Sequence, residues 1–249
     1  MRWAILSDVH ANPTALKAAL ADAREQGVDS ILCLGDVVGY GPDPEEAMAL
    51  CREACDVTLM GNHDAAVAGL IGIGNFIPFA QDGVRRHAAT LTPGDRKWLR
   101  SLPYLNSCRS FACVHGTPMH PSGFFYMNTM ATVVGSLEWM AQQHKRLLFV
   151  GHTHHACCIT YSPGEKAVVT GPDKDVDLAP RTRYIVNVGS VGYPRNDRDI
   201  TYVLYDSVTR KVSFRHLPFD FADYVRRLEK KNVRLPLWLS DYLNEHPVS

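Results

Sequence analysis

The stretch RWAILSDVH (Arg2 to His10) joins a short apolar run to a polar cluster. The run over 2–7 has no helical period, which predicts a buried strand. The segments SILCLG (30–35) and DVTLMG (56–61) repeat this pattern, and a predicted helix separates each from the strand before it. The first of these helices begins at Asn12-Pro13, a favourable cap followed by proline at the first helical position. Strands and helices alternating at this spacing indicate a parallel sheet.

The remainder of the chain predicts more helix and then more strand. Residues 65–103 are predicted to be helical, with a capping box at Thr92 to Asp95. Two further strands follow, with a helix over 129–143 between them: FACVHG (111–116) and RLLFVGH (146–152). Three β-rich segments predict an antiparallel meander: YIVNVGS (184–190), TYVLYD (201–206) and KVSFRHL (211–217). A mobile loop is expected over 162–183, and terminal helices over 221–231 and 236–245.

Composition limits the class of protein. The 249 residues are 46% hydrophobic and 21% charged, which suits one globular domain over 1–249. Lys plus Arg and Asp plus Glu both number 26, so the broad positive surface of a duplex nucleic-acid binder is not expected. No signal peptide and no apolar run of roughly 18 residues is found, so no membrane association is expected. Seven cysteines in apolar surroundings favour a reducing compartment, and we predict a cytoplasmic protein.

Each of the first five predicted strands, which precede the three β-rich segments, ends in polar residues. In open α/β sheets, ligands bind beyond the carboxyl ends of the strands, so these residues are expected to converge in one crevice. The residues concerned are Asp8, His10, Asp36, Asn62, His63, His115, His152 and His154. This set of oxygen and nitrogen donors lacks thiolates and suits manganese, iron, zinc or nickel. It is too large for one ion, and two ions that share a carboxylate would use it.

The order of the motifs D-x-H (8–10), GD (35–36), GNHD (61–64), VHG (114–116) and GHTH (151–154) resembles the calcineurin-like metallophosphoesterase superfamily. The later stretch NVGSVGYPRND (187–197) is similar to a motif of its small bacterial branch. The resemblance implies a four-layer α/β/β/α sandwich. It also implies a phosphoesterase with two divalent metal ions, in which a hydroxide that bridges the ions attacks the phosphorus.

The resemblance also implies a role for each polar residue. One metal ion takes Asp8, His10 and His154, and the other takes Asn62, His115 and His152. Asp36 bridges the two ions. His63 is left without a metal ion, either to protonate the leaving oxygen or to stabilise charge on the phosphorane.

The chain departs from the protein phosphatases of the superfamily at Gly39 and Tyr40, where those enzymes carry an aspartate and an arginine. The missing arginine weighs against a protein phosphatase and favours phosphodiesters, nucleotide-type substrates included, because a diester carries less charge than a monoester. The missing aspartate leaves the partner of His63 open. Substrate contacts are predicted for Tyr40, His120, Tyr126 and Arg195, and the neighbouring Phe124 and Phe125 either pack the loop or line a pocket.

Three other functions stay open. A phosphomonoesterase or a diadenosine tetraphosphate hydrolase would use the same metal ions. A non-catalytic scaffold of the same fold would lack the catalytic histidine, whereas His63 is present. Asp64 is interpreted as an acid in the first turn of a helix, and the alternative is that its carboxylate orients His63. Structural roles are expected for the remaining histidines, which are His87, His144, His155, His216 and His246.

Overall fold

The computed structural model describes residues 1–195, 199–235 and 239. Within them the strands are β1 (Arg2–Leu6), β2 (Ser30–Cys33), β3 (Val57–Thr58), β4 (Leu105–Ser107), β5 (Ala112–Val114), β6 (Leu147–Val150), β7 (Cys157–Tyr161), β8 (Val168–Thr170), β9 (Val176–Asp177), β10 (Arg183–Asn187), β11 (Asp199–Asp206) and β12 (Lys211–Pro218). The helices are α1 (Pro13–Glu25), α2 (Pro44–Ala54), α3 (Asn62–Val67), α4 (Pro78–Thr90), α5 (Pro93–Ser101), α6 (Met130–Gln142) and α7 (Phe221–Lys230).

The strands form two six-stranded mixed sheets. The first has the order β3-β2-β1-β11-β12-β9, and the second has the order β4-β5-β6-β10-β7-β8. In the first sheet β1 runs parallel to β2 and antiparallel to β11. In the second sheet β10 runs parallel to β6 and antiparallel to β7. Each sheet therefore contains both parallel and antiparallel pairs of strands.

Three apolar clusters separate the layers. One packs the first sheet against α1 and α2, with Leu16, Leu20 and Met48 at its centre. A second lies between the two sheets, where Phe111 and Phe149 are almost fully buried. A third packs the second sheet against α6. The resulting order of layers is α/β/β/α, as the resemblance implied.

The predicted parallel sheet of the first three strands is confirmed, because β1 runs parallel to β2 and β2 runs parallel to β3. The later strands β5 and β6 are also parallel to each other but lie in the second sheet. The predicted antiparallel meander was wrong in part, since β11 pairs antiparallel with β12 but β10 lies in the second sheet. Residues of β10 and β11 are buried along nearly their whole length. Such continuous burial is typical of strands covered on both faces at the centre of a sheet.

The helix starts agree with their sequence signals. Asn12 accepts a hydrogen bond from the amide of Ala15 at 3.1 Å, with Pro13 at the first position of α1. Thr92 and Asp95 form the predicted capping box at the start of α5. The helical prediction over 65–103 was wrong in its first part, because α3 ends at Val67 and α4 begins only at Pro78.

The segment 162–183 contains the short strands β8 and β9, where only a loop was expected. The predicted helix over 236–245 lies outside the described residues except for Leu239. Among the described helices, none has the length and apolar character needed to cross a membrane.

Candidate metal centre

The seven predicted ligands meet at the carboxyl ends of parallel strands from both sheets. The first sheet supplies Asp8, His10, Asp36 and Asn62 from the segments after β1, β2 and β3, and the second supplies His115, His152 and His154 from those after β5 and β6. Two groups of side chains, Asp8–His10–His154 and Asp36–His115–His152, place their candidate ligand atoms within 4.8 Å of one another. All six residues are buried. The convergence predicted from the strand ends is therefore present, although it takes two sheets to produce it.

Three of the four predicted histidine ligands have one ring nitrogen close to a backbone carbonyl oxygen. The Nδ1 atoms of His10, His115 and His154 lie 3.2, 3.0 and 2.6 Å from the carbonyl oxygens of Val38, Leu34 and Tyr193. An Nδ1–H that donates to a carbonyl leaves the lone pair of Nε2 for another partner. For His10 and His154 these Nε2 atoms face each other at 3.1 Å. Two lone pairs at that separation repel unless a cation lies between or beside them, so the donor set fits a metal ion.

Asp36 lies between the two groups. Its Oδ1 accepts a hydrogen bond from the amide of His63 at 2.8 Å. Its Oδ2 lies 3.7 Å from Nε2 of His10 and 3.4 Å from Nε2 of His115. One oxygen thus faces a histidine from each group, which is the arrangement that a bridging carboxylate requires.

Asp8 and Asn62 complete the ring of oxygen atoms. Asp8 accepts the amide of His152 through Oδ2 at 3.0 Å, whereas its buried Oδ1 has no hydrogen-bond partner and lies 3.2 Å from Nε2 of His154. Asn62 places its Oδ1 3.3 Å from Nε2 of His115. A buried carboxylate oxygen without a donor is costly, and a cation would satisfy it.

The backbone around the ligands is strained. Positive φ angles occur at Asp8 (58°), His10 (48°), Asp36 (53°), His152 (67°) and His154 (63°). Residues other than glycine rarely adopt this left-handed backbone conformation, and each such residue lowers the stability of the fold by an amount of order 1–3 kcal/mol. Strain concentrated on five of the seven predicted ligands is typical of a functional site.

Burial and charge decide the protonation of the ligands in the metal-free chain. Burial lowers the pKa of His152 to about 3, and repulsion from His115 acts in the same direction. Burial alone would raise the pKa of Asp8, but the facing His154 and His10 hold it well below its usual range. Neutral imidazole and ionised carboxylate are the forms that bind metal ions.

His63 lies against this centre. Its ring centroid is 4.6 Å from that of Tyr40, 4.9 Å from that of His10 and 5.1 Å from that of Phe76. Its Nδ1 is buried without a hydrogen-bond partner. The ligand atoms of His10, Asp36 and His63 also lie within 4.8 Å of one another, so His63 directly adjoins residues of the predicted metal centre.

Asp64 does not orient His63. Its carboxylate accepts the amides of Val38 at 3.1 Å and Gly61 at 3.0 Å, and so joins the loop after β2 to the loop after β3. Burial and the nearby Asp36 raise the pKa of Asp64 to about 7. The sequence interpretation of Asp64 as an acid in the first turn of α3 agrees with this position.

His87 has a structural role that the sequence did not specify. From α4, its Nδ1 accepts the amide of Gly39 at 3.0 Å and its Nε2 lies 2.9 Å from the carbonyl oxygen of Gly41. Both contacts hold the loop that carries Tyr40. Burial and the neighbouring Arg86 lower the pKa of His87 to about 3, so the ring is neutral near pH 7.

A cavity of about 740 Å³ opens beside the centre. Asn62, His63 and His152 form its floor. Apolar side chains form one wall, in the segment between α3 and α4 that includes Ile71, Phe76 and Ile77. The cavity is large enough for a small organic ligand, since such sites usually measure about 300–1,000 Å³.

Three of the four predicted substrate residues line this cavity: Tyr40, Tyr126 and Arg195. The ring of Tyr40 stacks on that of Tyr193 at 4.2 Å, and the ring of Tyr126 stacks on that of His152 at 3.9 Å. The fourth, His120, is exposed and does not line the cavity. A 3₁₀ turn over Pro121–Gly123 follows it and turns Ser122 and Phe124 towards the cavity instead.

The wall over 71–77 was missed in the sequence because those residues were assigned to a helix. A signal was available, since Gly72 and Gly74 interrupt the segment and Pro78 begins the next helix. Phe124 lines the cavity, whereas Phe125 is 53% exposed and does not.

Comparison with known proteins identifies a family whose sequence model matches most of the chain. The model of the calcineurin-like phosphoesterase superfamily domain matches residues 1–210. An uncharacterized protein of Methanocaldococcus jannaschii is 29% identical over 245 residues, with 96% of each chain covered.

Two solved structures share the fold over nearly the whole chain. A metallophosphoesterase from Sphaerobacter thermophilus has 31% identity and a TM-score of 0.81, with 98% of each chain covered. A hypothetical protein from Pyrococcus horikoshii has 19% identity and a TM-score of 0.73, with 97% of each chain covered, and supports the fold alone. The family match over 1–210 and the converging ligands lead to one conclusion: the chain belongs to the calcineurin-like phosphoesterase superfamily.

Proposed function

We propose that this protein is a phosphoesterase that uses two divalent metal ions and hydrolyses phosphodiesters, nucleotide-type substrates included. The observation that carries the proposal is the position of Asp36, whose Oδ2 faces His10 on one side and His115 on the other. A single buried oxygen between two groups of inward-facing nitrogen atoms can coordinate an ion on each side, so the arrangement suits two ions better than one. Paired ions of this kind are a known solution for phosphoester hydrolysis.

The residues divide into two sets. Asp8, His10 and His154 would hold one ion, and Asn62, His115 and His152 the other, with Asp36 shared. When bound, the ions supply positive charge to the phosphate group and lower the pKa of coordinated water. Manganese, iron, zinc and nickel all suit these donors.

His63 is proposed as the proton donor to the leaving oxygen. It lines the floor of the cavity, and its Nδ1 is enclosed, which leaves Nε2 for a ligand. Among residues 1–195 and 199–235 no carboxylate accepts a hydrogen bond from Nδ1 of His63, whereas protein phosphatases of the superfamily are expected to use an aspartate to orient the ring. Packing between Tyr40 and Phe76 performs that task instead. A positioned proton donor of this kind contributes roughly 10²–10⁴ to the rate.

The cavity supports a diester rather than a monoester. A diester carries two organic groups, and the apolar residues Ile71, Phe76 and Ile77 provide a surface for one of them. Tyr40 stands where an arginine would bind the extra charge of a monoester. We also propose that a small phosphoester, and neither duplex nucleic acid nor a membrane, is the partner of this site.

One observation favours a phosphomonoesterase as the second candidate. Arg195 is partly buried and lines the cavity with Tyr40 and Tyr126. A guanidinium in this place would bind the second negative charge of a monoester. The diester proposal therefore requires that Arg195 contribute less to substrate binding than the apolar wall of Ile71, Phe76 and Ile77.

The test is the ratio of kcat/KM for a bis-aryl phosphate and a mono-aryl phosphate with the same leaving group, in the presence of manganese. We expect the diester to be preferred. A ratio clearly in favour of the monoester rejects the proposal, and loss of that preference in Arg195→Ala would assign the monoester specificity to this residue.

A further inference from the structure

A second cleft, of about 370 Å³, lies at the end of the sandwich opposite the metal centre. It opens between the two sheets, where β6 and β10 begin and the β11–β12 turn reverses the chain. Arg146 and Tyr184 reach it from the second sheet, and Tyr205 and Arg210 from the first. Arg109 and His144 complete the polar part of the lining. The predicted metal ligands all lie at the other ends of the strands, so this cleft is a separate site.

The cleft carries an excess of positive charge. It is lined by the guanidinium groups of Arg109, Arg146 and Arg210, and no carboxylate is among the lining residues. Over 1–195 and 199–235, the side chains of these three arginines make no ion pair or hydrogen bond. Asp206 lies close by in sequence, but its Oδ1 accepts the amides of Val208 and Thr209 at 2.8 and 3.2 Å. Three unpaired cations in one concave site attract an anion.

The floor of the cleft is rigid. Tyr205 is 5% exposed, and its ring stacks on that of Trp3 with centroids 5.3 Å apart. The hydroxyl of Tyr184 accepts the amide of Ala179 at 2.9 Å. Burial raises the pKa of Tyr205 although Arg210 and Arg146 oppose the shift, so its hydroxyl remains a hydrogen-bond donor at neutral pH. The two tyrosines therefore lose little conformational entropy when a ligand binds.

We propose that this cleft binds a small organic phosphate, with the phosphoryl dianion held by Arg146 and Arg210 and the organic group against the tyrosine rings. Guanidinium groups match the geometry of phosphate oxygens through paired hydrogen bonds, which makes phosphate a better fit than a spherical anion. The concave shape and the net charge of zero over the whole chain argue for a small ligand over a nucleic acid. The inference does not depend on the activity proposed for the metal centre.

The test uses zinc-loaded full-length protein labelled with ¹⁵N, because zinc does not broaden the resonances. The probes are phenylphosphonate, which resists hydrolysis, and inorganic phosphate, with benzyl alcohol as the neutral control. The two sites are followed separately, through the amides of Ser110, Ala179 and Ser207 at the cleft and those of Gly61 and His63 at the metal centre. We expect saturable shifts of the cleft amides with phenylphosphonate, weaker binding of phosphate, and no shifts with benzyl alcohol.

Substitutions connect the shifts to the arginines. Arg146→Gln with Arg210→Gln should weaken binding at the cleft by at least about ten-fold, the usual value of a hydrogen-bonded charge pair. Arg210→Lys should reduce the affinity less, because lysine keeps the positive charge but cannot form the paired hydrogen bonds of a guanidinium. The matched control is Arg24→Gln on the exposed face of α1, which should leave both sites unchanged.

Three results would overturn the proposal. The first is the absence of shifts at the cleft amides, and the second is equal affinity in the wild type and the double variant. Equal affinity for phosphate and phenylphosphonate would reject the organic group and leave a site for free phosphate alone.

Discussion

The α-carbon of Gly39 lies against the imidazole of His63, so closely that a β-carbon on Gly39 would be 2.1 Å from Nδ1. The backbone of Gly39 has a φ of 90°, which also disfavours any side chain. The position at which protein phosphatases are expected to carry the aspartate that orients the catalytic histidine is therefore filled by the histidine itself. The ring of His63 is held by contact with the backbone and with aromatic rings.

Gly39→Ala should displace His63 and reduce turnover without removing the metal ions, because the new methyl group has no room beside Nδ1. The control is Gly69→Ala, which has a similar φ of 75° but only a distant contact with Arg100 at 3.6 Å. Steady-state kinetics and elemental analysis of both variants test this. Equal turnover in the two variants would show that the position of His63 does not matter.

His63→Gln should leave the metal content nearly unchanged and lower kcat by roughly 10²–10⁴, the usual effect of a positioned proton donor. The loss should be smaller for a nitrophenolate leaving group, which needs little protonation. Activity measured with leaving groups of increasing pKa checks this. A variant that loses an ion would instead identify His63 as a ligand.

Asp36→Asn should lower the occupancy of both proposed ions, because one oxygen of Asp36 faces histidines from both groups. Asn62→Ala should weaken the binding of mainly one ion, since Oδ1 of Asn62 lies beside Nε2 of His115, which belongs to one of the two groups. Elemental analysis of the purified variants measures this. One ion in the fully loaded wild type would contradict the proposal of a shared carboxylate.

Ile77→Ser should lower kcat/KM for a bis-aryl phosphate by up to about ten-fold, relative to a methyl aryl phosphate with the same leaving group. Ile77 lines the cavity and is 58% exposed, so it can cover an apolar group without supporting the fold. Complete burial of such a side chain contributes about 1.5–3 kcal/mol, and a contact that covers only part of it is expected to contribute no more than about 1.4 kcal/mol, which corresponds to ten-fold. Val208→Ser, at an 80% exposed position away from the cavity, is the control. An unchanged ratio in Ile77→Ser would remove the wall over 71–77 from substrate binding.

His87 should make the metal-free protein less stable as the pH falls. The pKa of His87 is about 3 in the folded chain and 6.5 in the unfolded chain, so the unfolded state binds one more proton between these values. The contribution of His87 is therefore complete above pH 6.5 and decreases below it by about 1.4 kcal/mol per pH unit. His87→Gln keeps an acceptor and a donor but does not titrate. Denaturant unfolding from pH 7 to pH 5 should show a shallower decline for this variant, and parallel curves would contradict the assignment.

The sequence predicted the ligands better than the sheets. Asp8, Asp36 and His152 were found because polar residues that directly follow apolar strands are recognisable from order alone. The assignment of β10 to the second sheet was missed because its partners, β6 and β7, are chosen by packing between distant segments. A structural role was predicted for His87, but its contact with Gly39 was not, because that contact spans 48 residues and leaves no local signal. The identity of the ligands could be predicted from local sequence, whereas the pairing of distant strands depends on tertiary packing.

The pairing of β1 with β11 has a consequence for how the protein is made. Arg2 is opposite Asp206 and Ile5 is opposite Val203, so the strand that precedes Asp8 acquires its second neighbour only when the chain has grown past residue 206. A nascent chain that ends at His154 already contains all seven predicted ligands, yet it lacks both β10 and β11, on which the two sheets depend. We therefore expect the seven side chains to converge during synthesis only after β11 has been made and has paired with β1.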